Sequence, residues 1–203
     1  MPNAVWAVVV ARVTNGAKSR LAPVLSPAQR QSLMLSMLSD VIRLCSQNLD
    51  GVIAVVDDRS ARDEAAAWHA VVIEDPHPGD MNAAVRLGIS AARTQGAQTV
   101  IVLPADIPLL SSPDIATLLA TAGDTERAVV VGSSRDGQGT NALLLRPPDV
   151  IRPSFGPPSV SRHLNLGIEA HAFTRVVTGL DLALDIDTPA DLAALAQSAG
   201  RAG

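Results

Sequence analysis

Two short stretches carry carboxylates where chemistry can be done with them. In "LPADIPLL" (103–110), Asp106 stands between two prolines at the end of an apolar run. In "LALDIDTPADL" (182–192), Asp185 and Asp187 are two apart, so on an extended segment they point the same way. Carboxylates at the C-terminal ends of two strands can share a hard cation, and Mg²⁺ favours one or two carboxylates completed by substrate phosphates. The plainer roles stay open: a turn cap for Asp106 and a helix cap by Asp187 or Thr188. For Asp191, in the first turn after Pro189, the helix-end role is the expectation. Nothing points to a protein nucleophile, since neither a G-x-S-x-G elbow nor a cysteine–histidine signature appears. His69, His77, His163 and His171 show no ligand-like spacing and read as surface or packing residues.

Positive charge is concentrated in "ARVTNGAKSRLAPVL" (11–25), with Arg12, Lys18 and Arg20 in a chain of formal net charge −4. Gly16 allows a tight turn there, and the loop amides suit a phosphate. It is not a Walker motif, so a triphosphate loop and a solvated loop both fit it. In "PHPGDMNAAVRLG" (76–88), Gly79 precedes a helix expected from about Asn82, a geometry that presents backbone donors. Asn82 suits a base edge, a ribose or a plain N-cap. "GQGTNALLL" (137–145) and "SFGPPSVSRHL" (154–164) place Gly139, Thr140, Gly156 and Ser159 on loops, where hydroxyls and bare amides suit an oxyanion-rich small ligand.

These residues need elements to position them. "AVWAVVVA" (4–11), "GVIAVVD" (51–57), "AVVIED" (70–75), residues 99–103, "RAVVVGS" (127–133), "NALLLRP" (141–147) and 172–178 read as strands. Between them, helices are expected from Ser26-Pro27, over Ser60–Trp68, over Asn82–Gln95, from Ser112-Pro113, near Ser159–Gly167 and from Pro189. Strands alternating with helices imply one α/β domain over residues 1–203, with a mostly parallel, partly mixed sheet covered on both faces. In such sheets ligands bind outside the carboxyl ends of the strands, which is where Asp106 falls. Aromatic residues make up only 2% of the chain, so its core rests on Ala, Val, Leu and Ile. A single cysteine, Cys45, excludes an internal disulfide and a cysteine-based zinc site. The acidic balance gives no general reason to bind nucleic acid or an anionic membrane, and no apolar run approaches a membrane span. With no charged leader before "MPNAVWAVVVA", a cytoplasmic protein is the expectation.

The segments "AKSRLAPVLS", "NAAVRLGI", "LPADIPLL", "GTNALLL", "FGPPSVSRHL" and "LDIDTPADL", in that order, resemble the guanylyltransferases of coenzyme F-420 biosynthesis over nearly the whole chain. "LPADIPLL" is shared with other nucleotidyltransferases, whereas "FGPPS…H" with "LDIDTPADL" is far more specific. The resemblance implies a Rossmann-related, GT-A-like single domain using GTP and Mg²⁺. It implies activation of a phosphorylated three-carbon acid (2-phospho-L-lactate, phosphoenolpyruvate or 3-phospho-D-glycerate), with the product passed to a downstream transferase. On this resemblance Asp106 with one or both of Asp185 and Asp187 would hold the metal, and Thr140, Gly156 and Ser159 the acid. Lys18 and Arg20 would face the triphosphate, and Gly79 and Asn82 the nucleotide. Arg12 stands where the family often has a lysine, and "GDMNAA" where "GLNAA" is more usual. Two other readings remain compatible: the same fold with a molybdopterin or sugar-phosphate acceptor, and a nucleotide-binding module without catalysis.

Overall fold

The computed structural model describes residues 4–13, 18–179 and 181–199; the tight turn expected at Gly16 lies outside them. Seven strands form one sheet in the order β3-β2-β1-β4-β6-β5-β7. They are β1 (Val5–Ala11), β2 (Gly51–Val56), β3 (Val71–Glu74), β4 (Thr99–Pro104), β5 (Ala128–Ser133), β6 (Thr140–Arg146) and β7 (Phe173–Val177). The helices are α1 (Pro27–Asn48), α2 (Arg59–Ala67), α3 (Met81–Thr94), α4 (Ser112–Ala122), α5 (Ser159–Glu169) and α6 (Pro189–Ala199).

The central strands are continuous apolar runs because both of their faces are covered. Ala54 and Val56 of β2 belong to one buried cluster, covered by α1 and α2 over β2 and by α4 over β5 and β6, with Leu192 and Leu195 of α6 packed against it. Ile53 and Val55 belong to the cluster on the opposite face, which α3 covers over β1 and β2 and α5 over β5 and β7. Helix α3 lies so close to β1 that a Cβ on Gly88 would come within 2.3 Å of Val8 Cγ1. Helix α1 starts where Ser26 and Gln29 form a reciprocal capping box with Pro27 at the first helical position.

Strand β1 pairs in parallel with β2 and β4, and β5 in parallel with β7, whereas β6 runs antiparallel to both β4 and β5. The expected mostly parallel, mixed sheet is therefore found, and β6 brings its first residue, Thr140, to the edge where β1 and β4 end. The expected elements are all present, with ends displaced by a residue or so. Two starts are corrected. Ser111, not Ser112, caps α4, because Ser112-Pro113 already lies within its first turn. Asp80, not Asn82, caps α3, its carboxylate accepting from Ala83 N. Among the described residues no helix is long and apolar enough to cross a membrane.

Candidate active site

Strand order reverses beside β1, whose neighbours β2 and β4 are reached by crossovers on opposite sides, and the crevice at such a switch point is where α/β sheets bind ligands. Ala105 N extends the ladder by donating to Val10 O at 3.1 Å, and Asp106 follows at the mouth. Ile186 N donates to Asp106 O at 3.1 Å, which lays the 185–187 segment alongside. The two acidic stretches, far apart in sequence, thus meet through a backbone bond.

Between them lies Lys18. Its ammonium donates to Asp106 Oδ2 and, at 2.7 Å, to Asp187 Oδ1. Arg20 Nη1 stands 3.7 Å from Asp187 Oδ2, outside this pair and largely exposed. Burial pulls the Lys18 pKa down, but attraction and hydrogen bonds from Asp106 and Asp187 outweigh it, and the net shift is upward. Lys18 is charged when the carboxylates are. Asp106 Oδ1 is buried and has no hydrogen-bond partner among the described residues.

A cleft of about 540 Å³ opens over this cluster, with Arg12, Lys18, Gly79, Asp106 and Asp187 in its wall and Met34 and Met81 beside them. Gly79 has φ 121°, a conformation costly for any side chain, and open space beyond it. Asn82 is placed differently from the sequence expectation. Its side-chain amide donates to Phe155 O at 3.2 Å and its oxygen accepts from Phe155 N at 2.7 Å. It therefore ties α3 to the loop before α5 rather than capping its own helix.

The β5–β6 register slips by one residue. Gly132 faces Ala142 but Ser133 faces Thr140, leaving Asn141 as a bulge. Bulges re-aim side chains beside active sites, and this one breaks the alternation so that Asn141 turns toward Leu182, on the side of Ala142, and Thr140 toward α5. Asn141 Nδ2 donates to Leu182 O and Ala183 O, each at 3.1 Å, and to Asp185 Oδ1 at 3.4 Å. Burial, then the charge of Asp106, raises the Asp185 pKa. Thr140 turns to α5, where Ser159 Oγ bonds Thr140 Oγ1 at 2.9 Å and His163 Nδ1 lies 3.1 Å from the same oxygen. Gly156, φ 98°, lies on the loop leading in, its carbonyl accepting from Arg162 Nη2.

The structure thus brings Thr140 and Ser159 into contact, and Lys18 with Asp106 and Asp187. His163 is packed, as expected of the histidines, but wholly buried in a polar network that spacing alone does not reveal. Asn141 stands within "GTNALLL", where nothing in the sequence marks it, and only the bulge gives it a role. Asp191 keeps its expected helix-end place, its Oδ2 accepting from Asp187 N, Thr188 N and Thr188 Oγ1.

Asp106, Asp185 and Asp187 do not close into a ready cluster: among the described residues no group of three or more His, Cys, Asp or Glu is positioned to hold a metal ion. The donors nevertheless fit a hard cation completed by substrate oxygens. Asp106 offers an unpartnered buried oxygen, and the gap between Asp106 and Asp187 already draws one positive charge, that of Lys18.

A family model described as "Guanylyl transferase CofC like" matches residues 5–198. The phosphoenolpyruvate guanylyltransferase of Rubrobacter xylanophilus is 40% identical over 97% of this chain and 95% of its own. The 3-phospho-D-glycerate guanylyltransferase of Phenylobacterium zucineum is 34% identical over 94% and 89%. The 2-phospho-L-lactate guanylyltransferase of Methanothermobacter thermautotrophicus is 33% identical over 90% and 79%. Among solved structures, a Methanothermobacter nucleotidyl transferase superposes with a TM-score of 0.73 at 19% identity, covering 99% of this chain and 100% of that one, a likeness of fold. A nucleotidyltransferase fold, an acid–base cluster at its switch point and a match across nearly all of its length place this enzyme in the CofC-like guanylyl transferase family.

Proposed function

We propose that the enzyme joins GMP, taken from GTP, to the phosphate of a phosphorylated three-carbon acid, releasing pyrophosphate, as a cytoplasmic step of coenzyme F-420 biosynthesis. Phosphoenolpyruvate is the first acid to test, because it is the one named for relatives at 37%, 40% and 38% identity. The observation that carries this reading is Lys18 clamped between Asp106 and Asp187 at the floor of the cleft.

An oxygen of the acid's phosphate attacks the α-phosphorus of GTP, and the bond from that phosphorus to the bridging oxygen of pyrophosphate breaks. The attacking group is already anionic at neutral pH, so no protein base is required. The task left to the protein is to hold two polyanions together and to neutralise charge. Lys18 and Arg12 supply positive charge in the cleft wall, and Arg20, exposed beside Asp187, adds to it from outside. Gly79, before the N-terminus of α3, leaves its backbone open to the nucleotide. Thr140, Gly156 and Ser159 offer the acid hydroxyl and amide donors without negative charge of their own. Asp106, with Asp187 and Asp185, would hold Mg²⁺, which when bound polarises the phosphoryl oxygens and neutralises the leaving pyrophosphate.

The test is pyrophosphate release from a matrix of nucleoside triphosphates and acceptors with Mg²⁺. Release is expected with GTP and at least one of the three acids. Release only with a molybdopterin or a sugar phosphate, or none with any acceptor, contradicts the proposal.

A further inference from the structure

The Thr140–Ser159 pair has more hydrogen-bonding capacity than its own bond uses, and the direction of the surplus is set from behind. Ser154 N donates to His163 Nε2 at 2.9 Å. A backbone N–H can only donate, so Nε2 is an acceptor, and the neutral ring carries its proton on Nδ1. That proton points at Thr140 Oγ1, 3.1 Å away, so Thr140 accepts there. The two hydroxyls bring two protons, and their mutual bond at 2.9 Å uses one. One hydroxyl proton is left, and His163 does not accept it. It is free for an acceptor beyond the pair.

We propose that His163 is a positioning residue that fixes the Thr140–Ser159 pair as a hydrogen-bond donor toward the anionic acceptor acid. This rests on the reading of Thr140 and Ser159 as acid-binding groups. Were the ring in the other tautomer, Nδ1 would take the surplus proton and the pair would present lone pairs to a carboxylate or phosphate, repelling it. The surroundings hold the chosen state in place. His163 is wholly inaccessible to solvent, and Phe155 packs against it edge to face with centroids 5.0 Å apart. Burial, then the neighbouring Arg162, lowers its pKa to about 4, so it is neutral at physiological pH. Ser154 and Phe155 belong to the loop that Asn82 clamps from α3, so the backbone N–H that selects the tautomer is itself held.

Replacement separates this role from packing. In His163→Gln, the amide oxygen can accept from Ser154 N and the NH₂ can donate to Thr140, so the polarity is kept. In His163→Leu, packing is largely kept, but the bond that orients Thr140 Oγ1 is lost and the surplus proton is no longer held to one direction. His163→Leu should raise the KM for the acid roughly tenfold or more, the worth of an ordered donor to an ionised oxygen. The KM for GTP should move little, and His163→Gln should lie close to the parent in both. Nitrogen-15 spectra of the labelled parent should show the Nδ1–H tautomer. An Nε2–H tautomer, an unchanged acid KM in folded His163→Leu, or a glutamine variant as impaired as the leucine one overturns the assignment. If the parent turns over none of the three acids, the substrate reading fails and this assignment with it; if the parent is active, a failure concerns His163 alone. Should either variant fail to fold, the parent's tautomer still decides.

Discussion

Lys18 has φ 54°, in the left-handed region that costs a residue with a Cβ roughly 1–2 kcal/mol. Strain of this kind persists where surrounding contacts over-determine it, here the bonds to Asp106 and Asp187. Lys18→Ala should leave those carboxylates facing each other without a cation and weaken the use of GTP by roughly 1.5–3 kcal/mol in kcat/KM. Steady-state kinetics of the folded variant check this, and parent-like GTP kinetics would remove Lys18 from the triphosphate site. The carboxylates and the basic loop were legible in the sequence because each is a local cluster of unlike residues in a plain background. The network behind Thr140 was not, because His163 lies 23 residues away and only a bulge at Asn141 turns Thr140 toward it. A bulge adds one residue to a strand without changing the apolar pattern that identifies it.

Helix α3 shows how an element can be held closer than its propensity suggests. Alanine normally favours a helix over glycine by up to about 1 kcal/mol. At Gly88 the added methyl would meet Val8 Cγ1 at 2.3 Å and Val55 Cγ2 at 3.1 Å, both on strands beneath. Gly88→Ala should therefore destabilise the protein by about 1–3 kcal/mol through overpacking, and a midpoint at or above the parent's would show that the sheet yields. At α6, Asp191 both closes the first turn and holds Asp187 N at 3.2 Å. Asp191→Asn should cost about 0.5–2 kcal/mol in chemical denaturation, the worth of a cap; no change would mean that water replaces it. The existence and order of the elements were legible from valine-rich runs and serine–proline starts. Their ends were not, since caps such as Asp80 and Ser111 depend on which side chain reaches back, and neighbouring polar residues compete for that place.

In the whole molecule, the buried groups set a pH window. His163 is neutral when folded, with its pKa lowered to about 4, whereas in the unfolded chain it titrates near the usual 6.5. Its contribution to stability is fully present above about pH 6.5 and is lost as pH falls toward 4, a difference on the order of 3 kcal/mol. Lys18 has the opposite sense. Its raised pKa gives stability that is present below its ordinary value of 10.5 and lost as pH rises through the folded value. Denaturation measured against pH should therefore show a loss between about pH 6.5 and 4 that is smaller in His163→Gln; an identical loss in both would mean that His163 is protonated in the fold. The mixed sheet then brings three things to one edge: a basic loop after β1, carboxylates after β4 and before α6, and a hydroxyl pair at the start of β6. The most direct test of what that edge does is transfer of label from GTP carrying it at the α-phosphate, with Mg²⁺ and phosphoenolpyruvate, 3-phospho-D-glycerate or 2-phospho-L-lactate. Label is expected in a product whose mass is that of GMP joined to the acid's phosphate. A folded Asp106→Asn variant should form this product at least about a hundredfold more slowly. Label that stays in GTP with all three acids, or an Asp106→Asn variant as fast as the parent, would contradict this reading of the edge.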